Sequence, residues 1–434
     1  MARRLLAVVV AVLHRPNALP TRRNIRGATL STMLGHRSRA AVALAALAPL
    51  AGCASASAPP AARVAVTVPP AHPGPNCAPV ADATLVSVAR RIYGQAQHGR
   101  NATGSIRRLQ QSPALVQAMA RGDAAATRTA LAPLIRHQIV RLELWHGSRR
   151  LVTYGTEPAL APHAGVLRDA SGATVGRFVL AVNGDRAFAA LTSGLTGAAV
   201  TLRPPGSVVR SGSPPAGGRT MAFAGSAFPN GAMRVTLALP RIPNSVCGTS
   251  AAATRAGAIG MVGRNLLQAE SAGAQVARTV KRVAGDAAFK RAVAASDPAA
   301  VRAAIVGFFR DSNFHIVRVR AWNTSRLLFD LGGPYVLAPA AGTLRAPSGQ
   351  PFGRFLVSLQ DDTGYIKLAH RFTGAAVVLR TAAGTVPGSA ALPGLPVLPA
   401  RGTVLDRGVH YQVVSFNGPA FPTGTLRISL LVRG

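Results

Sequence analysis

Lysine is almost missing from this chain. Of 49 basic residues only Lys281, Lys290 and Lys367 are lysines, and the acidic residues number 14, so the formal net charge is +35. So large an excess invites a nucleic-acid reading. Two observations oppose it. The arginines are scattered through a background of Ala, Gly and Arg that has the look of coding bias. Aromatics make up 5% of the chain, too few for a platform on which bases stack. What remains is a surface that should favour anionic polymers or lipid headgroups. Three cysteines are too few for a disulfide-built scaffold. The sequence holds no H-E-x-x-H, no G-x-S-x-G, no phosphate loop and no Cys/His metal spacing, so nothing indicates a metal site or a cofactor. Beyond residue 53 there is no uninterrupted apolar run of 18 residues, and no transmembrane helix is expected there.

One unusual stretch is present twice. Residues 176–203 read GRFVLAVNGDRAFAALTSGLTGAAVTLR, and residues 353–380 read GRFLVSLQDDTGYIKLAHRFTGAAVVLR; twelve of these 28 positions are identical at an offset of 177. The same offset maps Trp145 onto Trp322, Pro162 onto Pro339 and Leu167 onto Leu344. Upstream the offset is 174, and from AFPNGAMRVTL (227–237) to AFPTGTLRISL (420–430) it is 193, so the second copy has a loop longer by sixteen residues. Slips confined to connections are what surface loops tolerate. The period far exceeds that of solenoid repeats, so each copy is expected to be a domain with its own core, over residues 77–241 and 247–434.

Residues 33–53, MLGHRSRAAVALAALAPLAGC, join a basic start to an apolar run and then Leu50-Ala51-Gly52-Cys53. This resembles the lipobox of bacterial lipoproteins, in which the cysteine thiol receives a diacylglycerol. The resemblance implies a signal region over 1–52, with eight positive charges removed with it, and lipidation at Cys53. The true start is Met33, or MARRLLAVVVAVLH is a signal of its own, and the alternative to a lipobox is an ordinary secretory signal with an incidental cysteine. An Ala/Pro/Ser-rich tether over 53–76 follows. The protein would then be anchored at the extracytoplasmic face of the cell membrane. Cys77 and Cys247 stand just before the first helix of each copy. In an oxidising compartment two such cysteines most simply pair; the alternative is two buried thiols.

Helical periodicity covers 79–98 and, in one long stretch, 251–284. Further helices are expected near Ser105, after Asp123 as an N-cap, and at Asp297-Pro298 with proline at the first helical position. Period-two alternation marks strands at IVRLELWH (139–146) and IVRVRAWN (316–323), each paired in a hairpin with RRLVTYG or RLLFDLG. A Pro/Gly-rich loop, the GRF strand, a short helix and further strands complete each copy. Helices followed by an antiparallel sheet give an α+β, PAS-like fold class. The order of these elements, the RLELW strand, the P..G.L loops (Pro162 to Leu167, Pro339 to Leu344), the G.F strands and Asp361–Tyr365 (DDTGY) together resemble the Cache, or PDC-like, extracytoplasmic sensor domains. That resemblance implies two tandem modules, each binding a small metabolite on its sheet beneath loops.

Candidate ligand-binding residues follow from the residues themselves and, for Tyr365, from that resemblance. Asp361 and Asp362 can bind a cation or an amine, or serve only to form the turn and cap the helix; Asp185 is their acidic counterpart in copy one. Tyr365 is the nearest match to the tyrosine of amino-acid-binding members. Arg141, Arg318 and Arg320 lie on the strand face opposite the core and either line a pocket for an anion or face water. His137 and His315, at the entry to these strands, read as solvated or capping residues. The combined expectation is a non-catalytic, lipid-anchored, ligand-binding sensor protein with no output module, which implies a membrane partner for signalling and no nucleic acid. The alternatives are a structural or adhesive envelope protein that binds anionic wall polymers and, less favoured, a hydrolase acting at Asp361-Asp362.

Overall fold

The structure, a computed structural model, describes residues 76–135, 139–311, 316–333, 337–390 and 397–434. Cys53 with its signal and tether, His137 and His315 lie outside the described residues. Copy one begins with four helices: α1 (Cys77–His98), α2 (Arg100–Gln110), α3 (Pro113–Ala120) and α4 (Ala124–Leu131). Strands β1 (Arg141–His146), β2 (Arg149–Tyr154), β3 (Ala159–Leu160), β4 (His163–Arg168), β5 (Thr174–Ala181) and β6 (Asn183–Gly184) come next. Helix α5 (Asp185–Thr196) precedes β7 (Ala199–Arg203), β8 (Val209–Ser211), β9 (Thr220–Ala227) and β10 (Gly231–Ala238). Copy two repeats the scheme with α6 (Ala251–Ala272), α7 (Ala274–Gly285), α8 (Ala287–Ala294) and α9 (Pro298–Arg310). It continues through β11 (Arg318–Asn323), β12 (Leu327–Gly332), β13 (Ala340–Arg345), β14 (Pro351–Ser358) and α10 (Asp362–Thr373). The chain closes with β15 (Ala376–Thr381), β16 (Gly384–Thr385), β17 (Arg401–Asp406), β18 (Val409–Pro419) and β19 (Thr425–Arg433).

The chain is therefore α+β, with every named strand pairing antiparallel. Each copy holds two sheets. The first has the order β2-β1-β5-β4 in copy one and β12-β11-β14-β13 in copy two, the same topology twice. The second runs β6-β3-β9-β10-β7-β8 and β16-β15-β19-β18-β17. The bridge Leu160–Ala227 of copy one recurs as Leu337–Ala420 in copy two, whereas β17 belongs to the longer loop and has no counterpart.

Two sequence-level expectations are corrected. The single long helix over 251–284 is two helices, broken at Gly273, and the second helix of copy one starts at Arg100 because Gly99 makes the same break. Both glycines are extended, and a Cβ there would strike the carbonyl oxygen of Gln95 or Ala269. The Pro/Gly-rich loop is mostly strand, β4 and β13. Gly165 and Gly342 pair directly opposite Phe178 and Phe355, and the aromatic ring fills the space a side chain would need. The caps agree with expectation: Asp123 accepts from the Ala125 and Ala126 amides, and Asp297 from those of Ala299 and Ala300.

The cores are not divided one per copy. Leu115, Met119, Leu142, Leu144 and Phe178 pack the first sheet of copy one against α2–α4. Phe289, Val293, Ile305, Val319 and Phe355 do the same for copy two with α7–α9. The second sheets of both copies, however, share one continuous core with α1, α5, α6 and α10. Each long helix also reaches the other copy's embedded helix. Asn265 on α6 donates to the Leu195 carbonyl in the last turn of α5 at 3.0 Å. The Arg91 guanidinium on α1 lies against Gly374 at the end of α10, where the helix dipole favours a cation. A disulfide joins Cys77 to Cys247, Cα atoms 5.4 Å apart, at the start of α1 and just ahead of α6.

Candidate ligand-binding sites

Strand alternation places the first candidates. Leu142 and Leu144 of β1 face the helices, so Arg141, Glu143 and Trp145 occupy the opposite face, as do Arg318, Arg320 and Trp322 on β11. That face meets the second sheet of its own copy rather than open water. The Arg141 guanidinium carbon lies 4.8 Å from the Phe228 ring centroid, and Arg318 lies 4.8 Å from Phe421. Both phenylalanines precede a proline through a cis bond. Stacking of this kind holds a guanidinium without neutralising it.

Charge around the two arginines is arranged differently. In copy one Asp185, the first residue of α5, has no exposed surface. Its amide donates to the Pro158 carbonyl at 2.9 Å. Neither carboxylate oxygen has a hydrogen-bond partner, nor does Nε of Arg141. Burial pushes the Asp185 carboxyl up to about 6, with the Arg141 charge pulling the other way. Glu143, 4% exposed, meets Arg150 at 3.5 Å. In copy two Asp362 holds the position of Asp185 and is also buried. There Asp330 of β12 takes two bonds from Arg318, at 3.0 and 2.8 Å. Arg320 Nε also lies 2.8 Å from that carboxylate, but its N–H is not aimed at the oxygen, so this contact is an ion pair only. Thr153 stands where copy two has Asp330, and Glu143 where it has Arg320.

Asp361 and Tyr365 serve the fold. Asp361 is the N-cap of α10 and accepts from the Gly364 amide. Tyr365 is fully buried and donates its hydroxyl to the Gly263 carbonyl of α6 at 3.0 Å. Burial and the neighbouring Glu270 charge push its phenol upward. Glu270, in the same shared core, is pushed by burial to about 8. The structure thus brings Arg318 and Arg320 together on Asp330 and places Arg141 in the field of Asp185, while Asp361 and Tyr365 join neither group. Among the described residues no cluster of three His, Cys, Asp or Glu side chains could hold a metal ion.

A cavity of about 280 Å³ lies elsewhere, on the outer face of copy two's second sheet. Its floor is Val378 and Arg380 of β15 beside Arg427 and Ser429 of β19, and these pair directly across the two strands. Residues 385–390 and Leu398 form the roof. The roof is tied down at several points. Val386 and Ala390 donate their amides to the Leu379 and Val377 carbonyls at 2.9 and 2.8 Å. Ser389 Oγ accepts from the Leu379 amide at 3.0 Å, and Arg427 Nη2 donates to the Leu398 carbonyl at 2.9 Å. Val378, Leu398, Val404, Val413 and Leu431 give this outer face a small core of its own.

The same floor exists in copy one. Arg203 pairs with Arg234, and Thr201 with Thr236, at offsets of 177 and 193 from Arg380, Arg427, Val378 and Ser429. There the arginines are exposed and border an open groove with Ala222, Ala224 and Ala232. Residues 385–390 lie along the edge of β15 as β8 lies along that of β7 in copy one, so what the longer connection adds to the lining of the cavity is Leu398. Sequence reasoning missed Arg380 and Arg427. The available signal was their recurrence as Arg203 and Arg234, on either side of the point where the offset jumps. No family model, curated protein or solved structure matches this chain.

Proposed function

We propose that the chain is a non-catalytic, extracytoplasmic binding protein of the Cache-like sensor type. Its two modules derive from one ancestor, it is lipid-anchored through Cys53, and it binds a small ligand in the roofed cavity of copy two. The observation that carries this reading is the cavity itself: Arg380 and Arg427 pair across the strands and are half-buried beside residues 385–390 and Leu398, whereas the equivalent Arg203 and Arg234 are exposed. Enclosed pockets lined by apolar groups and a few convergent polar ones are where small molecules bind. No described helix is long and apolar enough to cross a membrane, so signalling would pass through a membrane partner.

A second reading has its own support. The exposed Arg203–Arg234 groove and the +35 net charge suit an envelope protein that holds anionic wall polymers by a salt-sensitive surface. A thermal-shift screen of the full chain in detergent, against amino acids, carboxylates, amines and nucleosides, separates the two. A ligand that binds the native state at a hundredfold excess over Kd adds about 2.7 kcal/mol and must raise Tm. The binding reading expects at least one saturable shift. A flat screen together with salt-sensitive retention on wall polymer transfers the assignment to the envelope role.

A further inference from the structure

The cavity's floor also indicates what it takes, on the reading that it binds a ligand at all. Arg380 and Arg427 stand directly opposite each other on adjacent antiparallel strands. Like charges in that relation repel, and among the described residues no acidic side chain lines the cavity to offset them. In copy one the equivalent pair is exposed, where water screens the repulsion. In copy two both side chains are half-buried, so the screening is weaker. Arg427 spends one N–H on the Leu398 carbonyl, but its Nε is buried and has no hydrogen-bond partner. A buried guanidinium donor without an acceptor is uncommon and calls for an explanation.

We propose that the copy-two cavity is a site for a small anion, a carboxylate or phosphate group held between Arg380 and Arg427. Guanidinium forks match such groups two bonds at a time. An anionic oxygen between the strands would accept from the idle Nε, bridge the two cations and turn their repulsion into attraction. Thr385, also in the lining, offers a hydroxyl for the remainder of the ligand, while those of Ser389 and Ser429 are engaged with the Leu379 backbone and Ser415. The volume of about 280 Å³ suits a compact metabolite. Copy one has the same arginines without a roof, and it should bind such anions only weakly.

The test uses the full chain in detergent with succinate, citrate and inorganic phosphate as probes, and neutral succinamide as the control, by isothermal titration calorimetry. At least one anion should bind saturably with succinamide inert, and the comparison of carboxylates with phosphate identifies the group. Arg380→Gln should weaken that binding at least tenfold, whereas Arg203→Gln should leave it unchanged. A readout without ligand guards against a variant that merely misfolds: relief of the charge pair should leave Arg380→Gln with a Tm no lower than wild type. Three results overturn the proposal. One is a neutral or cationic ligand from the wider screen that binds equally well to Arg380→Gln, which would leave the binding reading intact. Another is anion binding lost equally in Arg203→Gln. The last is absence of binding by all three anions.

Discussion

Copies one and two have the same first sheet, the same embedded helix and the same pair of cross-strand arginines, and they differ in what surrounds those arginines. In copy one Arg203 and Arg234 border an open groove; in copy two Arg380 and Arg427 lie beneath a roof. The inter-sheet junctions differ in a parallel way. Arg318 and Arg320 converge on Asp330, whereas Arg141 faces a buried Asp185 whose carboxylate has no hydrogen-bond partner. The lesson is that the two copies share backbone geometry, because packing demands it, and differ in loops and single charges. A ligand site is easier to gain by covering an existing charged floor than by rebuilding a core, where each change disturbs many neighbours.

The largest effect should come from separating the copies at the disulfide. Cys77→Ser with Cys247→Ser removes a crosslink that closes a loop of 170 residues, worth roughly 5 kcal/mol in the chain-entropy treatment. Denaturant titration should show a lower midpoint but still one transition, since the second sheets share a core. Two transitions of equal amplitude would mean that the copies fold independently.

Next in size is the buried carboxyl of copy one. Asp185 has a folded value near 6 against an ordinary 3.8, so the folded state holds its proton more tightly than the unfolded chain does. Below pH 4 both states are protonated and there is no penalty. As pH rises from 4 to 6 stability is lost, by about 3 kcal/mol once ionisation is complete. Asp185→Asn should therefore stabilise the protein at pH 8 by up to that amount and leave it unchanged at pH 3.5, as measured by denaturant midpoints. Destabilisation at pH 8 would instead show that Arg141 depends on the ionised carboxylate.

The smallest effect compares one core position in both copies. Tyr365 of α10 corresponds to Phe188 of α5, and the tyrosine's hydroxyl is bonded to the Gly263 carbonyl. Tyr365→Phe should cost about 1 kcal/mol, while Phe188→Tyr should cost about 1–3 kcal/mol if its hydroxyl is left unsatisfied. Thermal unfolding of the two single variants checks the order.

Much of the framework was legible in the sequence, and the reason is local. Period-two alternation at 139–146 and 316–323, the caps Asp123 and Asp297, and Asp361 read as a helix cap are all consequences of near neighbours. What was hidden depends on distant partners. The strands at Gly165 and Gly342 looked like loops because glycine disfavours sheets, and only the opposing phenylalanine rings make them favourable. The shared core could not be read because α6 carries glycine and alanine on faces that one copy alone leaves uncovered. At the site, Arg380 and Arg427 looked like ordinary solvent-facing residues of alternating strands. Their partial burial depends on distant neighbours, among them Leu398, whose carbonyl accepts from Arg427.

The central claim is that ligand binding belongs to copy two because its arginine pair is roofed. Hydrogen–deuterium exchange with mass spectrometry, with and without the anion found in the titrations, tests it most directly. The account predicts slowed exchange in peptides covering 377–390 and 425–430, with 199–203 and 231–238 unchanged. Protection at the copy-one strands, or around Arg141 and Asp185 instead, would contradict it.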